Sequence, residues 1–226
     1  MTVIDDGAVI AERLSVVLRE ATRPEHERAQ QSAFLRDLVA GRLPVAAYAA
    51  LATQHYLIYA TLEQAAEVMR DDPVAGRFVD DDLARVPALE TDLRALLGED
   101  WADQVRPGDA TARYVARLRE VCFTWPAGFI AHHYTRYLGD LSGGRAIGAA
   151  VRRVYGFGDG PGARFYRFDT SGARVKDAYR ARLDALAWDR TERERFVAEV
   201  ITAYRLNTAV LADLETWCQS EEVSAS

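Results

Sequence analysis

The sequence predicts an all-α protein. Apolar residues recur at three- and four-residue spacings along most of the chain, and no convincing alternating strand competes with them. Neither an internal repeat nor a linker rich enough to divide the chain interrupts the pattern. The expected organisation is one helical domain over 1–226, with a globular core over about 9–218 and a polar tail over 219–226.

Leu14, Val17, Leu18 and Ala21 open the series, and Phe34, Leu35, Leu38 and Val39 continue it. Gly41 stands where a glycine would close the second helix, and Pro44 suits the first turn of the third. That helix presents Tyr48, Leu51, Ala52, His55, Ile58, Tyr59 and Leu62 on one face and runs to about Arg70. Asp80 to Asp82 are expected to cap a fourth helix carrying Leu83, Val86, Leu89, Leu93 and Leu96. Tyr114, Val115, Leu118 and Val121 define another, over Thr111 to about Cys122. From about Gly128 to Tyr155 an apolar segment is broken by Gly139, Gly143, Gly144 and Gly148. Gly156 to Gly162 reads as a plain loop, since no strand precedes it and no Gly-Lys-Ser/Thr follows. The last two helices are expected at about Gly172–Ala187 and Thr191–Cys218.

Composition narrows the function classes. With 226 residues, 49% of them hydrophobic and 27% charged, the chain can bury a core without disulfides. A balance of 28 Lys+Arg against 34 Asp+Glu, net −6, argues against general nucleic-acid binding. Lys176 is the sole lysine, so an arginine carries little meaning merely for being arginine. Cys122 and Cys218 form no CxxC pair, which fits a reducing compartment. Met1 to Ile10 carries Asp5 and Asp6 where a signal peptide would carry positive charge, so a cytoplasmic location is expected. The uncharged stretch Leu43 to Leu62 is alanine-rich and holds Pro44, Gln54 and His55, which suits a buried helix better than a membrane span.

Four histidines are available: His26, His55, His132 and His133. None is preceded by the Glu-x-x-His spacing of a di-iron bundle, and no His-Glu-x-x-His zinc helix occurs. What remains is ligation by one imidazole, as for haem iron, with His26 as the candidate. It follows Thr22-Arg23-Pro24-Glu25, a possible capping box, and shares a helix face with Arg19 and Arg23. An exposed surface histidine between Glu25 and Glu27 is the plainer reading of the same spacing. His55, His132 and His133 read as structural, and Tyr48, Tyr59, Phe165 and Phe168 as core.

The second feature is Tyr134-Thr-Arg-Tyr-Leu-Gly-Asp-Leu-Ser-Gly-Gly144. Glycine inside a helix costs about 1 kcal/mol against alanine, so such a cluster needs a reason. Gly139 and Gly143 clear one face of side chains, either for a flat ligand or for a packed neighbouring helix. Asp140 places a carboxylate among them.

These motifs make the chain resemble the haem oxygenases over about Leu14 to Leu214. The resemblance rests on Leu18-Arg-Glu-Ala-Thr-x-x-x-His26, Ala88-Leu-Glu-x-Asp-Leu93 and His133-Tyr-Thr-Arg-Tyr-Leu-Gly-Asp-Leu-Ser-Gly-Gly144. It implies haem, both substrate and cofactor, held between a proximal helix bearing His26 and a kinked distal helix containing Gly139, Gly143 and Gly144. It implies oxidative opening of the ring at the α-meso carbon by O2 to give biliverdin, carbon monoxide and ferrous iron. Asp140 would be the distal aspartate that holds a proton-relaying water, with Tyr59, Arg136 and Asn207 in its network. Arg19, Arg23, Tyr134, Lys176 and Arg180 would meet the haem propionates, and Thr135 would also belong to the haem-binding set. Electrons would come from an external ferredoxin or flavodoxin/reductase system, since the sequence holds no flavin or nicotinamide motif. Two positions depart from the family pattern: Gln30 replaces a glutamate four residues after the proximal histidine, and Pro24 lies within the proximal helix. A haem carrier or sensor on the same scaffold is the rival reading, and a helical interaction module a third.

Overall fold

The computed structural model describes residues 12–224, and all of their regular structure is helical. The N-terminal segment Met1 to Ile10, on which the signal-peptide reading falls, lies outside them. Helix α3 (Val45–Met69) is central, because its residues are apolar or small on nearly every side. Tyr48, Leu51, Ile58, Tyr59 and Leu62 are all buried on it. Against α3 pack α4 (Val86–Leu97), α6 (Asp109–Val121) and α7 (Pro126–His133). The uncharged stretch is thus interior, and no helix of the described residues is long and apolar enough to cross a membrane. Gln54 uses its polar head to hold the chain entering α6, donating to Arg106 O at 3.2 Å and accepting from Gly108 N at 2.9 Å.

Helix α1 (Leu14–Gln30) lies along α10 (Arg190–Ser224), and α2 (Ala33–Val39) joins α1 to α3. Gly41 sits at φ +73°, the left-handed turn expected just after α2. Helix α10 continues through Ser224, since nothing in Gln219 to Glu222 stops it, and carries helix into the segment read as a polar tail.

The capping of α4 departs from expectation. Asp80 caps only a 3-10 turn at Asp81–Leu83, and α4 begins later, at Val86, with Pro87 in its first turn. Its cap comes from another helix: Glu63 of α3 accepts from Arg85 N at 2.6 Å and Val86 N at 3.2 Å. A short α5 (Trp101–Gln104) escapes the spacing argument, being one turn long. The glycine loop before α9 (Gly172–Asp184) is a plain loop pinned from below. Buried Asp92 accepts from the amides of Gly162, Arg164 and Phe165 at 2.7, 2.9 and 2.8 Å.

Between α7 and α8 (Arg145–Tyr155) the backbone widens into two π-helical turns, π1 (Tyr134–Leu138) and π2 (Asp140–Gly144). Such turns are rare and concentrate at functional sites. The glycine-interrupted segment is therefore one continuous helical run with a locally widened register.

Candidate active site

Helix α1 runs unbroken through Pro24, so the capping-box alternative is corrected. Thr22 is buried and donates its hydroxyl to Leu18 O at 2.8 Å, which is mid-helix behaviour. Pro24 is tolerated because it lies on the exposed side of the helix. Glu25 fixes the rotation of α1. It is buried and accepts from Arg205 of α10 at 2.9 Å while pairing with Arg28 at 2.7 Å. With Glu25 turned inward, the next residue, His26, is turned out into a cleft, its ring edge-on to Tyr204 at 6.3 Å.

That cleft has a volume of about 710 Å³, within the range of small-molecule sites. Helix α1 contributes His26, Arg19 and Arg23, and the widened helix contributes Tyr134, Leu138 and Gly139. Lys176 and Arg180 complete it from α9. Nothing lies within 4 Å of where a Cβ would stand on Gly139 or Gly143, so this strip is open backbone and not a helix-packing surface. Gly144 differs: a Cβ there would meet Tyr166 at 3.3 Å, so its role is packing. Thr135 is buried, with its hydroxyl given to Ala131 O at 2.9 Å, and does not line the cleft.

Behind the glycine strip is a polar network. Tyr59 of α3 donates to Asp140 Oδ2, and Arg136 donates to Asn207 of α10. The Arg136 guanidinium also stands over the Tyr59 ring at 4.9 Å. Burial raises the Asp140 carboxyl above its usual range, against the pull of Arg136 and the Tyr59 hydrogen bond. Burial and the Asp140 charge push the Tyr59 phenol well up. Burial opposes the charge of Arg136, but Tyr59, Asp140 and Tyr114 together hold it protonated. Arg136 Nε and Nη2 and Tyr114 Oη are buried without a protein partner among the described residues.

The other histidines are interior. His132 bonds Glu199 at 2.9 Å, His133 bonds Tyr179 at 3.1 Å, and His55 packs on Phe165. Burial lowers all three. Tyr48, Tyr59 and Phe165 are core, and half-buried Phe168 lies under the Arg85 guanidinium. Spacing did not single out Ser15, Glu20 or Tyr204, which also line the cleft. For Tyr204 a signal existed, since it lies one helical turn before Asn207 on α10.

One imidazole, a side-chain-free strip and cations at the edge suit a flat, dianionic, iron-bearing ring. Fold and cleft together define an all-helical protein that clamps such a ring between a histidine helix and a glycine-rich helix. The family model described as Heme oxygenase matches residues 12–213. Heme oxygenase 1 of Nostoc is 33% identical over 91% of this chain and 87% of its own length. Heme oxygenase 1 of Gallus gallus is 33% identical over 91% of this chain, which spans 71% of that relative and 65% of heme oxygenase 2 of Mus musculus. Among solved structures, heme oxygenase-1 of Synechocystis in complex with heme superposes with a TM-score of 0.87 at 30% identity, covering 94% of this chain and 97% of that one. The heme oxygenase of Leptospira interrogans gives 0.83 at 32% identity, over 89% and 99%. The chain belongs to the haem oxygenase family, the enzymes that degrade haem to biliverdin.

Proposed function

We propose that this chain cleaves haem at the α-meso carbon, using O2 and external electrons, to biliverdin, carbon monoxide and ferrous iron. The observation that carries the reading is the pairing of His26 with an open glycine strip across one cleft. When bound, haem supplies an iron centre able to bind and reductively activate dioxygen. His26 would hold that iron through its imidazole, facing the Gly139 backbone across the cleft.

Arg19, Arg23, Lys176 and Arg180 orient the ring by its carboxylates, with the Tyr134 hydroxyl beside them. Gly139 and Gly143 let the main chain approach where any side chain would intrude. Asp140 is the proton-handling group. Burial raises its carboxyl above the usual range, and the Tyr59 hydroxyl donates to it one residue beyond the cleft wall. The orphaned polar atoms of Arg136 and Tyr114 offer hydrogen bonds to water that connects Asp140 to the ring edge. Asn207 fixes Arg136 for that task. Thr135 and Gly144 act through helix packing and not by touching the ring.

Electrons come from a ferredoxin or flavodoxin/reductase system in the cytoplasm. Such donors are acidic, and the cleft-edge cations give this acidic chain a local basic rim to receive them. The test is an optical titration with haemin, followed by a reductant and donor system under air. Loss of the Soret band with biliverdin and trapped carbon monoxide is expected. A stable spectrum that never bleaches with a competent donor would overturn the proposal.

A further inference from the structure

The two helices that carry the cleft cations are joined at one point. Ser15 of α1 donates its backbone N–H to Asp184 Oδ1 at 2.8 Å and its hydroxyl to Asp184 Oδ2 at 2.9 Å. Helix α1 needs this partner. Its own N-cap position, Arg13, makes no side-chain cap, and its first turn holds no acidic residue. Asp184 therefore satisfies an otherwise unpaired amide and places negative charge at the positive end of α1. Nothing in α9 explains it, since Asp184 is the last residue of that helix, where a carboxylate opposes the helix dipole.

The register of the two helices gives the contact its meaning. Ser15, Arg19 and Arg23 fall at i, i+4 and i+8 on α1, and Lys176, Arg180 and Asp184 fall at i, i+4 and i+8 on α9. The bonded pair thus lies on the two faces that bear the cations, one turn from Arg19 and one turn from Arg180. Arg19, Arg23, Lys176 and Arg180 line one cleft, and their like charges push α1 and α9 apart. Ser15 itself lines that cleft.

We propose that Ser15 and Asp184 are positioning residues: their two hydrogen bonds set the separation of the cation pairs that receive the substrate's carboxylates. This rests on the haem reading of the cleft. The clasp holds the cation frame open to a dianion before the substrate arrives, so less ordering remains to be done on binding.

The experiment compares the parent with Asp184→Ala, Asp184→Asn and Ser15→Ala, using haem and haem dimethyl ester, whose carboxylates are masked. Binding is read by optical titration and dissociation by transfer to apomyoglobin. Amide exchange of Ser15 to Leu18 is followed in the protein without haem. Asp184→Ala is expected to speed haem dissociation about fivefold, with dissociation of the ester unchanged. Exchange in the first turn of α1 should rise while α3 and α10 keep their protection. Asp184→Asn, which keeps an acceptor for the Ser15 amide, should fall between Asp184→Ala and the parent. Equal losses for haem and ester would reduce the pair to a structural cap, and unchanged haem dissociation would overturn it outright. A parent that fails to bind haem would overturn the functional reading instead, and exchange unchanged by Asp184→Ala would then refute the clasp separately.

Discussion

Tyr59 and Asp140 share a hydrogen bond that joins the central helix α3 to π2 directly behind the open glycine strip. The phenol is the donor, and its bond pulls the carboxyl down while burial pulls it up more strongly. Tyr59→Phe removes the lowering contribution, so the limb of the turnover profile set by Asp140 should move to higher pH. A pH–rate profile of biliverdin formation checks this, and an unmoved limb would refute the coupling.

Asp140 also makes a stability prediction. Its folded pKa is raised, so between the ordinary and the raised value the native state binds more protons than the unfolded chain. Stability contributed here falls as pH rises through that window. Asp140→Asn removes the penalty and should melt no lower than the parent at neutral pH. Haem affinity should be kept, while biliverdin formation drops about 100-fold, the scale of a lost proton transfer. Parental turnover in Asp140→Asn would end the proton-relay assignment.

A buried carboxylate of the opposite kind lies at Glu199. Burial raises it, but the hydrogen bonds from His132 and Arg117 prevail and lower it to about 2. Arg117 approaches at 2.6 Å and His132 at 2.9 Å. A depressed carboxylate contributes stability that is present above about 4.5 and is lost as pH falls toward about 2. Glu199→Gln should cost on the order of 3 kcal/mol near neutral pH. Urea melts at a series of pH values should show the gap closing on acidification. A gap independent of pH would assign the loss to packing.

The Glu199 cluster also shows where sequence reading runs out. His132 was legible as structural because no metal-binding spacing surrounds it, but its partner lies 67 positions away on α10. Spacing within a helix reports its buried face and not which neighbour that face meets. The same limit hides Glu63 as the cap of α4, Asp92 as the anchor of the glycine loop and Asp184 as the cap of α1. Helix faces and the glycine run were legible because periodicity and propensity are local. The π-turns were not, since Gly139 and Gly143 permit a bend without saying which hydrogen-bond register it takes.

Gln30 closes α1 and lies exposed one turn past His26. A carboxylate there would accept the imidazole N–H more strongly than an amide oxygen and make the ligand more electron-donating. Gln30→Glu should therefore raise the ferrous iron–histidine stretching frequency, read by resonance Raman spectroscopy. An unchanged frequency would mean that position 30 does not reach the ring. His26→Ala should abolish the band, and added imidazole should restore part of the activity.

The glycines of the widened helical segment divide into two kinds, and alanine substitution separates them. At Gly139 a Cβ meets nothing within 4 Å, so Gly139→Ala should fold normally and gain up to about 1 kcal/mol from helix propensity. At Gly148 a Cβ would stand 2.5 Å from Tyr166 Cβ, a buried atom with no freedom to swing away. Gly148→Ala should cost about 1–3 kcal/mol by overpacking. Function should run the other way. The methyl of Gly139→Ala projects into space the substrate needs and should cut biliverdin formation at least about tenfold, since small misplacements at a reacting centre are costly. Folded Gly148→Ala should turn over close to the parental rate, because Gly148 faces Tyr166 and not the cleft. Thermal melts and single-turnover kinetics on the same two proteins decide it. If Gly139→Ala destabilises, or turns over like the parent, the open strip does not serve the substrate.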